Sequence, residues 1–121
     1  FMLHTIWENE RYRPLDPWQD KSLFPTSALN TLGEITSAVE GLFVVEAIHN
    51  FGAYYDKTLM AWNANFQSRR PAIVEHHGER FARMWEYYLL QNAAAFRCRH
   101  INVGQFVLSP RGLRGGYETV R

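Results

Sequence analysis

His4 and the run His49-Asn50-Phe51-Gly52-Ala53-Tyr54-Tyr55 carry the side chains with the most chemical capacity in this 121-residue chain. An imidazole changes charge near neutral pH, and a phenol hydroxyl both donates and accepts hydrogen bonds. A histidine and a tyrosine reaching inward together could share a small ion or substrate. The aromatic faces of Phe51, Tyr54 and Tyr55 suit cations and apolar pockets. The competing reading is that His4 and Tyr55 are polar plugs satisfied by backbone groups. Residue types alone leave both open.

Other candidates carry less. His76-His77 with Glu75 and Glu79 invites a metal, but three or four convergent ligands are needed and no HExxH or CxxC spacing exists. An exposed polar helix start is the plainer reading, and no metal is expected. "GLRGGY" at 112–117 lacks the strand-loop-helix context of a phosphate loop. The single Cys98 excludes an internal disulfide, fits a reducing compartment and reads as a small packing residue beside Arg97 and Arg99. From Arg97 onward five arginines (Arg97, Arg99, Arg111, Arg114, Arg121) face one acid, Glu118. That basic end could meet phosphates or anionic lipid heads, or be a solvated tail, and 109–121 is expected to be flexible. A net charge of only +1 gives no strong global field, and with no recognised nucleic-acid module no such partner is expected.

The elements that must position these residues follow from pattern. The length suits one domain with a real core. "FMLHTI" reads as a buried strand, and residues 7–25 as a loop broken by Pro14, Pro17 and Pro25, with Trp7 and Trp18 in it. Thr26 or Ser27 caps a helix through about Glu40 with Ala28, Leu32, Ile35 and Val39 on one face, and Gly41 stops it. "LFVVEAI" at 42–48 is a second strand. A helix from about Asp56 places Leu59, Trp62 and Phe66 on one face, and Pro71 opens the next. That next helix, about 73–96, repeats Phe81, Met84, Trp85, Tyr88, Leu89 and Phe96, with Trp62 and Trp85 read as core; "INVGQFVL" at 101–108 is a third strand.

This order predicts an α/β sheet. Ligands of such sheets sit beyond the carboxyl ends of the strands, where His4 and the stretch from His49 to Tyr55 would both fall if the first two strands are parallel. Even with one strand between them they would be roughly 10 Å apart. The chain opens on Phe1-Met2-Leu3, inside an apolar run, which reads as a fragment.

"LHTI", "DPW", "FP", "HNFGAYYDKTLMAW", "RFARMWEYYL", "AAAFR" and "INVGQFV" follow one another along essentially the whole chain. In order and spacing they resemble the C-terminal third of bacterial cyclopropane-fatty-acyl-phospholipid synthases. The resemblance implies the last three strands of a class I, Rossmann-like methyltransferase sheet, the final strand antiparallel between the other two. It implies transfer of a methylene from S-adenosylmethionine to the cis double bond of an unsaturated phospholipid, with bicarbonate as the base. It places bicarbonate ligands at His4, the Ile6 main chain and Tyr55, with His4 and Tyr55 catalytic. Phe51, Gly52 and His49 would line the pocket, Gly52 letting the chain turn sharply. The S-adenosylmethionine loop, a catalytic Glu and a Cys ligand would lie N-terminal to this chain, which holds no cofactor-binding residue and alone should be inactive.

Two departures stand out. Asn92 occupies a position where many relatives carry Cys, on an apolar helix face where it needs a partner. Tyr54 precedes the site tyrosine and is given no catalytic role. The implied setting is a cytoplasmic homodimer, peripheral at the inner membrane surface. The alternatives are a sister methyltransferase making methyl- or hydroxyl-branched acyl chains, and a non-catalytic lipid-surface module.

Overall fold

Ile101–Ser109 is the most buried strand and has a partner on each side. The computed structural model describes residues 1–10, 18, 21 and 28–119. Its elements are β1 (Met2–Glu8), α1 (Leu32–Val39), β2 (Val44–Asn50), α2 (Gly52–Arg97) and β3 (Ile101–Ser109). The sheet order is β1-β3-β2, and β3 runs antiparallel to both neighbours, so β1 and β2 are parallel. The expected order of strands, and the antiparallel last strand at the centre, are what is found. The chain divides into two compact units, 1–52 with 100–121, and 53–99.

In the first unit one face of the sheet makes the core. Trp7, Phe106 and Leu108 pack with Ile35 of α1, and Leu3, Val39 and Phe43 close around them. The Trp7 ring meets Phe106 edge-on at 5.5 Å between centroids. Trp7, expected in a loop, is therefore strand and core. It continues the alternation Leu3, Thr5, Trp7 on one face of β1, which runs two residues past the "FMLHTI" prediction. Gly104 lies under this indole: a Cβ there would come within 2.8 Å of the Trp7 ring and closer still to the His49 carbonyl oxygen.

Thr31 caps α1. Its hydroxyl accepts from the Glu34 N–H at 3.3 Å, and the Glu34 carboxylate accepts from the Thr31 N–H at 2.8 Å. This reciprocal pair satisfies two otherwise orphaned donors, so the helix starts there. Ala28, expected on its apolar face, precedes the helix; Thr26 and Ser27, like the three loop prolines, lie outside the described residues. Gly41 ends the segment at φ 74, a conformation cheap only for glycine.

In α2 the break falls at Gly78 (φ 82, ψ 159), not at Pro71, which sits inside the first arm. Two helices were expected, and two arms occur, divided seven residues later than foreseen. Glycine takes the left-handed turn that stops the ladder, whereas proline removes one N–H without forcing a turn. Side chains bridge the break: Arg70 donates two hydrogen bonds to Glu79, at 2.5 and 3.3 Å, and Gln67 donates to Glu86 at 2.8 Å. The Arg70 hydrogen bond holds the Glu79 carboxyl below its usual range. Leu59, Phe66, Ala82, Leu89, Ala93 and Phe96 are buried, Trp85 is half-buried, and Trp62, read as core, is 48% exposed.

Candidate active site

Strand register brings the two histidines into one row. His4 of β1 and His49 of β2 both stand opposite Gln105 of β3. Directly opposed residues share a face, so His4, Gln105 and His49 project from the same side of the sheet. Phe51 closes the row: its ring lies 5.6 Å from the His4 imidazole and 5.4 Å from that of His49. His4 is exposed, while His49 and Phe51 are half-buried. His49, expected just past β2, is its penultimate residue, because pairing with β3 continues through Asn50 opposite Gly104.

Ile6 sits two residues from His4 on the same face, opposite Val103. Phe1 and Leu108 exchange both backbone hydrogen bonds, at 3.0 and 2.8 Å. Counting in twos, Leu3, Thr5 and Trp7 turn their backbone groups toward β3, and those of His4 and Ile6 point out from the opposite edge. Glu8 fits this parity, since its N–H leaves the sheet to reach the Asn30 carbonyl at 3.1 Å. The Ile6 carbonyl accepts from the Thr5 hydroxyl at 3.3 Å, and its N–H faces the edge.

A chain of amides crosses the end of the sheet. Asn102 donates to Asn9 at 2.7 Å, Asn50 donates to Asn102 at 3.0 Å, and the Asn50 side-chain Oδ1 accepts the Gly52 N–H at 3.0 Å. That last bond starts α2 at Gly52, four residues before the expected Asp56. Gly52 is needed for clearance and not for a left-handed turn: a Cβ there would fall 2.9 Å from the Asn102 Cα and 3.0 Å from the Val103 nitrogen. Asn102, 2% exposed, was not singled out from sequence. Its signal was an amide in an otherwise apolar strand, where Asn is disfavoured unless its polar atoms are paired.

Tyr55 lies in the first turn of α2. Its ring packs 5.0 Å from Phe96 and edge-on to Trp62 at 6.1 Å. Tyr88 is its neighbour in charge: burial first, then the Tyr55 phenol, pushes the Tyr88 hydroxyl above its ordinary value of 10. A raised folded-state pKa contributes stability that is fully present below pH 10 and lost as pH rises through the folded value. Alkaline titration of phenolate absorbance should therefore show a late-ionising group that Tyr88→Phe removes; an unchanged titration in the variant would contradict this. The Asn92 side chain finds the partner it needs in the Tyr88 carbonyl at 2.8 Å. Tyr54 is 66% exposed with the Lys57 ammonium 5.9 Å from its ring centroid. Cys98, read as a packing residue, is exposed, because it falls in the turn after α2. His76 and His77 are exposed beside the Gly78 break.

Residues 1–106 match the family model of mycolic acid cyclopropane synthetase. The chain belongs to this family. It is 44% identical over all 121 residues to the cyclopropane-fatty-acyl-phospholipid synthase of Escherichia coli K12, and it spans 31% of that relative's length, its C-terminal part. The Citrobacter freundii synthase of the same description is 44% identical over 90 residues, 74% of this chain and all of that sequence. The tuberculostearic acid methyltransferase of Mycobacterium tuberculosis is 35% identical over 105 residues, 83% of this chain and 24% of the relative. Among solved structures, a cyclopropane synthase from Mycobacterium tuberculosis superposes with a TM-score of 0.75 at 26% identity, over 88% of this chain and 42% of that one. A mycolic acid cyclopropane synthase complexed with SAH and CTAB gives 0.76 at 24% identity and shows the same fold. The chain thus carries the methyltransferase-type sheet end that its motifs imply.

Proposed function

We propose that this chain forms the C-terminal part of the catalytic domain of an S-adenosylmethionine-dependent enzyme that makes cyclopropane fatty acids from unsaturated phospholipids. The observation that carries the reading is 44% identity to a cyclopropane-fatty-acyl-phospholipid synthase along the entire chain. The alkene takes the methyl carbon as the sulfonium C–S bond breaks. A proton then leaves that carbon and the ring closes.

We assign bicarbonate binding to His4, the Ile6 main chain and Tyr55. The sheet suits this assignment, since His4 and Ile6 share a face and the Ile6 N–H points away from β3. When bound there, bicarbonate supplies the base for the departing proton. In this assignment the His4 imidazole and the Ile6 N–H would donate to the ion, and the Tyr55 hydroxyl, on a ring packed against Phe96 and Trp62, would donate as well. Phe51 lies beside both His4 and His49, we assign Phe51, His49 and Gly52 to the pocket lining, and aromatic faces favour positive charge developing on the lipid.

The setting we propose is cytoplasmic and peripheral to the inner membrane surface, as a homodimer that light scattering would reveal. No helix among the described residues is long and apolar enough to cross a membrane. A sister reaction giving methyl or hydroxyl branches is second, because the tuberculostearic acid methyltransferase is more distant, at 35%.

The test is a chimera in which this chain replaces the matching 31% of the Escherichia coli synthase. It should move labelled methyl carbon from S-adenosylmethionine into unsaturated phospholipid. A folded chimera that transfers no label would overturn the proposal.

A further inference from the structure

Glu46 sits at the β2 bulge, where the register shifts between Val45 and Ala47. Its carboxylate accepts from the Ser109 hydroxyl and, at 2.9 Å, from the Leu113 N–H. The Leu113 carbonyl in turn accepts from the Gly116 N–H at 3.0 Å. Gly112, Gly115 and Gly116 take φ of 78, 87 and 83, which admits this tight path at little cost. A Cβ on Gly112 would lie 3.8 Å from a Val44 methyl, so the loop runs along β2.

The side chains this loop presents are of two kinds. Arg111 and Arg114 are exposed and have no ion-pair partner among the described residues. Leu113 is 49% exposed, Tyr117 41%, and the adjoining Val44 46%. Glu46, the acid beside them, is engaged by Ser109 and Leu113. Guanidinium groups pair with phosphates, aliphatic side chains enter the acyl boundary, and tyrosine rests at headgroup level. The whole chain has a net charge of only +1, so attraction to an anionic surface must come from such a local cluster.

We propose that the loop from Arg111 to Tyr117, held by Glu46, docks this chain on an anionic phospholipid surface. It rests on the reading of a membrane phospholipid as substrate, and it adds the surface through which the chain meets that membrane. The loop lies beyond residue 106, where the family match ends.

Sedimentation of the 121-residue chain with vesicles tests the docking without any turnover. Phosphatidylglycerol vesicles should bind the chain more strongly than phosphatidylcholine vesicles. Arg111→Ala with Arg114→Ala should lower partitioning about thirtyfold, roughly fivefold for each cation removed from an anionic surface. Leu113→Ala should weaken binding further. Glu46→Ala separates an ordered loop from bare charge: it makes the chain more positive, yet should weaken binding because the loop loses its anchor. Equal binding to both vesicle types, wild-type binding by the double arginine variant, or tighter binding by a folded Glu46→Ala would each overturn the proposal. Label transfer by the chimera with any of these results would leave the enzymatic reading standing and remove only the docking surface.

Discussion

Tyr55→Phe in the chimera should fold like its parent and lose most of its turnover. The substitution removes one hydroxyl and keeps the ring that packs on Phe96 and Trp62, at 5.0 and 6.1 Å between centroids. Packing is therefore nearly conserved, and a lost ligand to the base is the main change. General-base catalysis contributes about 10²–10⁴-fold, and a misplaced base should forfeit a sizeable part of that. Added bicarbonate should restore some activity if the ion binds more weakly, whereas a packing defect would not respond. S-adenosylmethionine affinity should barely move. Wild-type turnover in the variant would return Tyr55 to a packing role.

Gly104→Ala should be among the most damaging single methyl additions to this chain. The new Cβ would meet the His49 carbonyl oxygen and lie 2.8 Å from the Trp7 ring. Both belong to rigid parts of the sheet: one is backbone of β2, the other the centre of the buried cluster. Overpacking of this kind costs about 1–3 kcal/mol and sometimes more, against a total of about 5–15 kcal/mol for a folded domain. Gly33→Ala is the control. It lies in α1, its nearest contact is the Thr31 hydroxyl at 4.0 Å, and alanine there should stabilise by about 0.5–1 kcal/mol. Urea denaturation of the two variants should move in opposite directions. A Gly104→Ala midpoint equal to wild type would show that the sheet yields more easily than the contacts imply.

Trp7 and Thr31 show which features a sequence can and cannot reveal. The strands were legible because their apolar, β-branched runs are continuous, and β3 was placed to within one residue. β1 was cut short because Glu8 and the polar residues after it resemble a loop, although Trp7 keeps the alternation. The cap of α1 was readable, since Thr31 stands three residues before Glu34, but Thr26 and Ser27 competed as caps. Pro71 and Gly78 are both breakers, and choosing between them depends on φ, which periodicity does not contain. The central position of β3 came from family resemblance alone. The row His4–Gln105–His49 was invisible, because register links residues from three distant stretches. Asn102 was overlooked for the same reason: its partners, Asn9 and Asn50, lie far away in the chain.

Proton NMR of the phospholipid product made by the chimera addresses the central claim most directly. The product should show the upfield signal of a ring methylene, with loss of the olefinic protons of the acyl chain. A product carrying a branching methyl or hydroxyl group without that signal would contradict cyclopropane formation and assign the chain to the sister reaction.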